Sequence, residues 1–166
     1  QWAKSMGSAN HDWAISIAVD AAGDVYATGH FEMSVDFDPR ESAGRLTSFG
    51  EADVFVLKLN THGDFAWVRQ MGGPGHDQGR SIAVDEQKNV HVTGSFEETA
   101  DFEPGKKGGR VSSAGSRDVF VQKLDFHGRN LWVTTIGGPQ FMRGNSIAMD
   151  SSGNVYSTGR FKGAAD

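Results

Sequence analysis

The sequence predicts an all-β chain: a β-propeller segment of four-stranded antiparallel blades, about two and a half 65-residue repeats long. Three observations carry this expectation. One stretch occurs three times at a spacing of 65: Ser16-Ile17-Ala18-Val19-Asp20 running to Phe31, Ser81-Ile82-Ala83-Val84-Asp85 running to Phe96, and Ser146-Ile147-Ala148-Met149-Asp150 running to Phe161. Trp2, Trp67 and Trp132 keep the same spacing, as do Gly29, Gly94 and Gly159. Apolar and polar residues alternate with period two between turn residues, and no helical stripe interrupts them.

Each unit holds four strand-like runs. In the first, Ile17 and Val19 alternate with Ser16, Ala18 and Asp20. In the second, Val25, Ala27, Gly29 and Phe31 alternate with Tyr26, Thr28 and His30. The third run, Asp53 to Leu59, is rich in β-branched and aromatic residues and returns as Asp118 to Leu124. The fourth is Phe65 to Met71.

Asp20-Ala21-Ala22-Gly23 and Asp150-Ser151-Ser152-Gly153 start a turn on Asp and place Gly where positive φ is easiest. Asn60-Thr61-His62-Gly63 and Asp125-Phe126-His127-Gly128 do the same. All four fit short hairpins with a Gly bulge. Lys88 stands where Gly23 and Gly153 stand, which predicts strain there, or a different turn with Asn89 in the left-handed position.

A four-stranded sheet that is apolar on both faces must stack on neighbours to bury them. An extended β-solenoid is the alternative, although solenoid coils are usually shorter than 65 residues. The repeat divides the chain into 1–7 (last strand of a preceding blade), 8–72, 73–137, and 138–166 (first half of a blade). Both ends then fall inside a repeat. The expectation is an open arc, with apolar flanks near Ile17 and Phe161. Those flanks would be covered by further blades of the same chain or by neighbouring copies in a head-to-tail assembly.

The run Ser81-Ile82-Ala83-Val84-Asp85 with its Val-x-x-Thr-Gly-x-Phe continuation, followed by Asp118-Val119-Phe120-Val121-Gln122-Lys123-Leu124, resembles the bacterial β-propeller repeat family called SBBP. The resemblance covers essentially the whole chain. It implies a secreted or cell-surface protein. It also implies that Ser16–Asp20 and its copies form the innermost strand, with the long connections gathered at one end.

Net charge is −5. That argues against a nucleic-acid partner, which needs a basic face. Lys106, Lys107 and Arg110 share one loop and read as a solvated cluster. No apolar run is long enough to span a membrane. The absence of cysteine excludes disulfides and thiolate chemistry. No G-x-S-x-G, H-E-x-x-H or phosphate-cradling motif is present, so no catalytic residue is assigned.

Candidate sites lie in the long connections, where binding residues collect. His11-Asp12 recurs as His76-Asp77, while the third copy reads Phe141-Met142. These pairs could bind a ligand, coordinate a metal or move protons; the plainer reading is a loop histidine beside a turn-capping carboxylate. Asp36-Phe37-Asp38-Pro39 recurs as Asp101-Phe102-Glu103-Pro104. Asp36, Asp38, Asp101 and Glu103 could offer oxygens to calcium, but the carboxylate density is thin. There Phe37 and Phe102 would instead anchor the loops while Asp36 and Asp101 cap amides. Asp53 and Asp118 read as turn carboxylates, and the three repeated tryptophans as core between sheets. Trp13 is found in one copy, opposite Gln78 and Arg143, which makes it the aromatic to expect at a ligand.

Together these features suggest a non-catalytic binding or scaffolding protein that recognises protein or glycan through its upper loops. One alternative is a glycoside hydrolase or lyase with carboxylates near the axis. Another is a calcium-stabilised structural repeat.

Overall fold

The computed structural model describes residues 2–38, 43–106 and 108–163. Pro39 and Lys107, both part of the loop readings above, lie outside the described residues. The first unit holds β1 (Asp12–Val19), β2 (Val25–Phe31), β3 (Ser34–Asp36), β4 (Arg45–Thr47), β5 (Asp53–Leu59) and β6 (Phe65–Met71). The second repeats it as β7 (Gln78–Val84), β8 (Val90–Phe96), β9 (Thr99–Asp101), β10 (Arg110–Ser112), β11 (Asp118–Leu124) and β12 (Asn130–Ile136). β13 (Met142–Met149) and β14 (Val155–Phe161) complete the order. The first sheet runs β1-β2-β5-β6, the second β12-β11-β8-β7, and β13-β14 form a pair. All these pairings are antiparallel. The long connections fold into two short ribbons, β3-β4 and β9-β10.

The hairpin turns form as their residues dictate. Gly23 has φ 88 and Gly153 φ 83. Asp20 Oδ1 accepts from the amides of Ala22 (2.9 Å) and Asp24 (3.0 Å), and Asp150 Oδ1 does the same for Ser152 and Asn154. Lys88 keeps this turn instead of passing the left-handed position to Asn89: its own φ is 63. Its ammonium reaches Asp20 of the first unit at 3.1 Å, tying two turns together. Backbone strain and a cross-unit ion pair therefore occur at one residue.

Neighbouring units stack face to face. Tyr26, Val54, Val56, Trp67 and Met71 of the first sheet pack on Val90, Val92, Phe96 and Phe120 of the second. Each such side chain contributes about 1.5–3 kcal/mol when fully buried. The approach is close enough to require glycine at Gly79, where a Cβ would lie 2.3 Å from Thr28 Oγ1. Gly144 repeats this against Thr93, at 2.4 Å. The ladder skips one residue in β1, β7 and β13, at Ile15, Arg80 and Asn145. Just past each skip in β7 and β13 an amide turns to the preceding unit: Ile82 N donates to Ser16 Oγ (3.3 Å) and Ile147 N to Ser81 Oγ (3.2 Å).

Two expectations are corrected here. The sheets do not close or curl into a propeller. Each four-stranded sheet stays open, with edges at β1 and β6 in the first and at β12 and β7 in the second. Periodicity specifies a unit and its next neighbour, whereas closure needs contacts between distant units. The flanks are accordingly bare, with Ile17 67% and Phe161 63% exposed. The chain is an all-β domain of four-stranded antiparallel sheets in a repeat-like pattern. Secondly, residues 2–7 form no strand, because they lie in no ladder. Trp2 nevertheless docks as Trp67 does: its Nε1 donates to Thr61 O (3.1 Å), and Trp67 Nε1 donates to Phe126 O (3.0 Å).

Candidate functional site

The two ends of the sheets differ in chemistry. The turn end repeats itself. Asp85 takes the place of Asp20, accepting from Asn89 N (2.7 Å), with Lys123 Nζ at 3.2 Å. The other end gathers most of the candidate ligand-binding residues, but not in the roles their spacing suggests.

Asp77 is 1% exposed and serves the backbone. Its Oδ2 accepts from Gly73 N (2.7 Å) and its Oδ1 from Glu97 N (3.0 Å). Burial pushes its pKa up to about 7 against those two bonds, and the charges of Asp53 and Glu97 push the same way. Asp53, also buried, accepts from Phe49 N (2.9 Å) and Gln70 Nε2 (2.5 Å), while its Oδ1 has no partner. A Cβ on Gly72 would sit 2.5 Å from Asp53 Oδ1 and 2.8 Å from Asp77 Oδ2, so the two carboxyls flank that glycine. Asp53 ties the start of β5 to the loop before it and to β6, Asp77 ties the loop before β7 to the end of β8, and both are shut away from solvent. Asp12 is the first-unit counterpart of Asp77 and accepts from Ser8 N at 2.5 Å. His11 is exposed.

His76 joins a ring stack. Trp13, 58% exposed, lies parallel to His30 at 6.1 Å, and His30 meets His76 at 5.4 Å. His76 Nε2 is 3.4 Å from Gln78 Nε2, and Arg80 Nη2 donates to Gln78 Oε1 at 3.1 Å. Burial, then the positive fields of His76, Arg80 and Arg117, push the His30 pKa down to about 4. His30 is therefore neutral at physiological pH. Arg117 pairs with Glu97 and stacks over Phe141 at 5.4 Å.

The calcium candidates serve their own loops. Asp36 Oδ1 accepts from Asp38 N, and Asp101 Oδ1 from Glu103 N, both at 2.9 Å. Arg110 lies 3.5 Å from Asp101, and Lys106 pairs with Glu103. Asp38 is buried. Phe37 and Phe102 are buried against Phe55 and Phe120. Among the described residues no group of three or more His, Asp or Glu side chains is placed to hold a metal. Asp118 accepts from Ala114 N (2.8 Å) as Asp53 does from Phe49. Trp67 is 9% exposed, but Trp2 is 40% and Trp132 38% exposed, so the core role expected of all three is fulfilled in one.

His30, Arg80, Glu97, Arg117 and Arg143 were not singled out from the sequence. A signal for most of them was present: inside matched strands, the copies disagree there. His30 aligns with Ser95 and Arg160, Arg80 with Ile15 and Asn145, and Arg143 with Trp13 and Gln78.

A family model described as a β-propeller repeat, SBBP, matches residues 66–95 and 131–160. Each window takes in most of one unit's fourth strand and the following unit's first two strands. The chain is also similar to an uncharacterized WD repeat-containing protein of Acanthamoeba polyphaga mimivirus, at 24% identity over 185 aligned residues and 98% of this chain. It spans 13% of that relative's length. In sequence, then, part of the chain resembles the SBBP repeat, and the whole resembles a segment of a much longer WD-repeat protein.

Proposed function

We propose that this chain is a non-catalytic binding or scaffolding module, recognising protein or glycan at the end of the sheets marked by Trp13, His30 and His76. One observation carries the reading. A repeated strand frame, bulged at the same place in each unit, presents a different side chain from each unit at the same register: Trp13, Gln78 and Arg143. Rigid scaffolds with varied end positions suit recognition. The enzyme alternative is weaker because the adjacent carboxyls of Asp53 and Asp77 are closed to solvent. A secreted or cell-surface setting rests on the SBBP resemblance.

The test is to probe glycan and peptide arrays with the chain and with Trp13→Ala. A defined ligand lost on that substitution, with the fold retained, supports the reading. Hydrolysis of an arrayed glycan, or no ligand on either array, would count against it.

A further inference from the structure

We propose that Arg80 and Arg143 form a receptor for one oxyanion, the carboxylate of an acidic sugar whose ring extends towards Trp13. This deepens the binding reading above and rests on it for the sugar part alone.

β7 and β13 pack side by side. Arg80 is the extra residue of the β7 bulge, and Arg143 stands two residues before the matching bulge residue, Asn145. A bulge turns its extra side chain out of the strand's alternation. The Nε of Arg80 is buried without a partner, and its Nη2 has only the neutral Gln78. Arg143 Nε donates to another neutral group, Asn145 Oδ1, at 3.0 Å. Arg117 adjoins them, since its carbonyl accepts from Met142 N at 2.8 Å. Glu97 is committed to Arg117. Among the described residues, Arg80 and Arg143 form no ion pair with a carboxylate, so two guanidiniums are left uncompensated. Burial, with the fields of Arg143 and Arg117, holds Arg80 below the usual guanidinium range. Partly buried like charges with idle donors are costly until an anion joins them. The guanidinium fork fits a carboxylate in bidentate fashion.

The surroundings choose the ligand. An extended polyanion would meet a body of net charge −5, whereas a compact anion meets Arg80 and Arg143, with the neighbouring Glu97 already paired to Arg117. From Arg80 the polar line continues through Gln78 and His76 to His30, whose buried Nδ1 has no partner, and ends on the exposed ring of Trp13. Next to it Ser95, opposite Gln78 and fully buried, keeps a hydroxyl without a partner. Charge at one end and a free aromatic face at the other suit a sugar acid.

The experiment is a calorimetric and NMR titration of the chain with D-glucuronate, D-glucose, inorganic sulfate and hexaglutamate. Saturable binding of glucuronate but not glucose is expected. Arg80→Gln and Arg143→Gln should each weaken it about tenfold, the scale of one charge-assisted hydrogen bond, and Trp13→Ala should weaken it less. Arg80→Lys keeps the charge but loses the fork, so it should fall between. If Arg80→Gln fails to fold, Arg143→Gln decides. Glucuronate binding that ignores both arginines overturns the proposal. Sulfate binding as tightly as glucuronate and ignoring Trp13 means an adventitious ion only, and hexaglutamate binding more tightly means a peptide site; either overturns the sugar assignment. An array ligand that depends on Trp13 but not on the arginines would sink this inference while sparing the binding reading. Arginine-dependent glucuronate binding without any array ligand would uphold this inference while removing peptides and the arrayed glycans as ligands from the binding reading.

Discussion

The turn end and the Trp13 end of the same sheets share strands but not chemistry. At the turn end the repeated turn carboxylates Asp20, Asp85 and Asp150 each accept from amides of their own turn. Trp67 and Arg69 clamp the next unit's turn at the carbonyls of Phe126, His127 and Gly128. At the Trp13 end the frame is equally regular, yet the side chains on it differ, and several buried donors lack partners. A repeat economises on structure at one end and leaves the other free to vary.

The largest effect should break the regular end. Trp67→Ala is expected to destabilise by about 3–5 kcal/mol in urea melts. Trp132→Ala, its half-exposed copy, should cost about half as much or less. Equal losses would mean that stacking of the next unit is not what distinguishes them.

The second effect lies at the Trp13 end and is seen in pH. Folding raises the Asp77 pKa from 3.8 to about 7, so the folded state binds more protons, and this contribution to stability falls as pH rises from about 4 to 7. Folding lowers the His30 pKa from 6.5 to about 4, so its contribution rises with pH over about 4 to 6.5. The two slopes oppose one another. Each is worth about 1.4 kcal/mol per unit of displacement. Asp77→Asn should leave stability rising over that range, and His30→Asn should leave it falling. Identical profiles for the two variants would refute the assignment.

A smaller effect sharpens the contrast. Trp13→Ala should change stability by about 0.5 kcal/mol or less, since the ring is mostly exposed. A loss near that of Trp67 would make Trp13 a structural residue. Smallest of all, chelation of calcium should move Tm by no more than about 2 °C, because Asp36 and Asp101 already accept amide bonds. A large drop would promote those loops to metal sites.

Much of the fold was legible. The alternation of Val25 to Phe31 and the β-branched run of Asp53 to Leu59 match β2 and β5. The ribbons β3-β4 and β9-β10 were not, because three-residue strands are too short to show a period. The site was less legible. His11-Asp12 and His76-Asp77 read as pairs, yet Asp77 turns inwards to two amides while His76 joins rings from β1 and β2. Arg80 and Arg143 carry no motif at all.

Sequence alone determined the extent of β2, β5 and β6 and the turn chemistry, because these depend on residues within a few positions: Asp20 finds the amides of Ala22 and Asp24 whatever the rest does. The first run, read as Ser16–Asp20, instead starts at Asp12, where pairing with β2 extends it. Lys88 marks the limit of that logic. Its strain was foreseeable, but its partner Asp20 lies in another unit. Tertiary structure decided which tryptophan is covered, which carboxyl is buried, which arginines lie on neighbouring strands, and that the sheets stay open. Those outcomes depend on what packs against each face, and two copies of one sequence can face different neighbours.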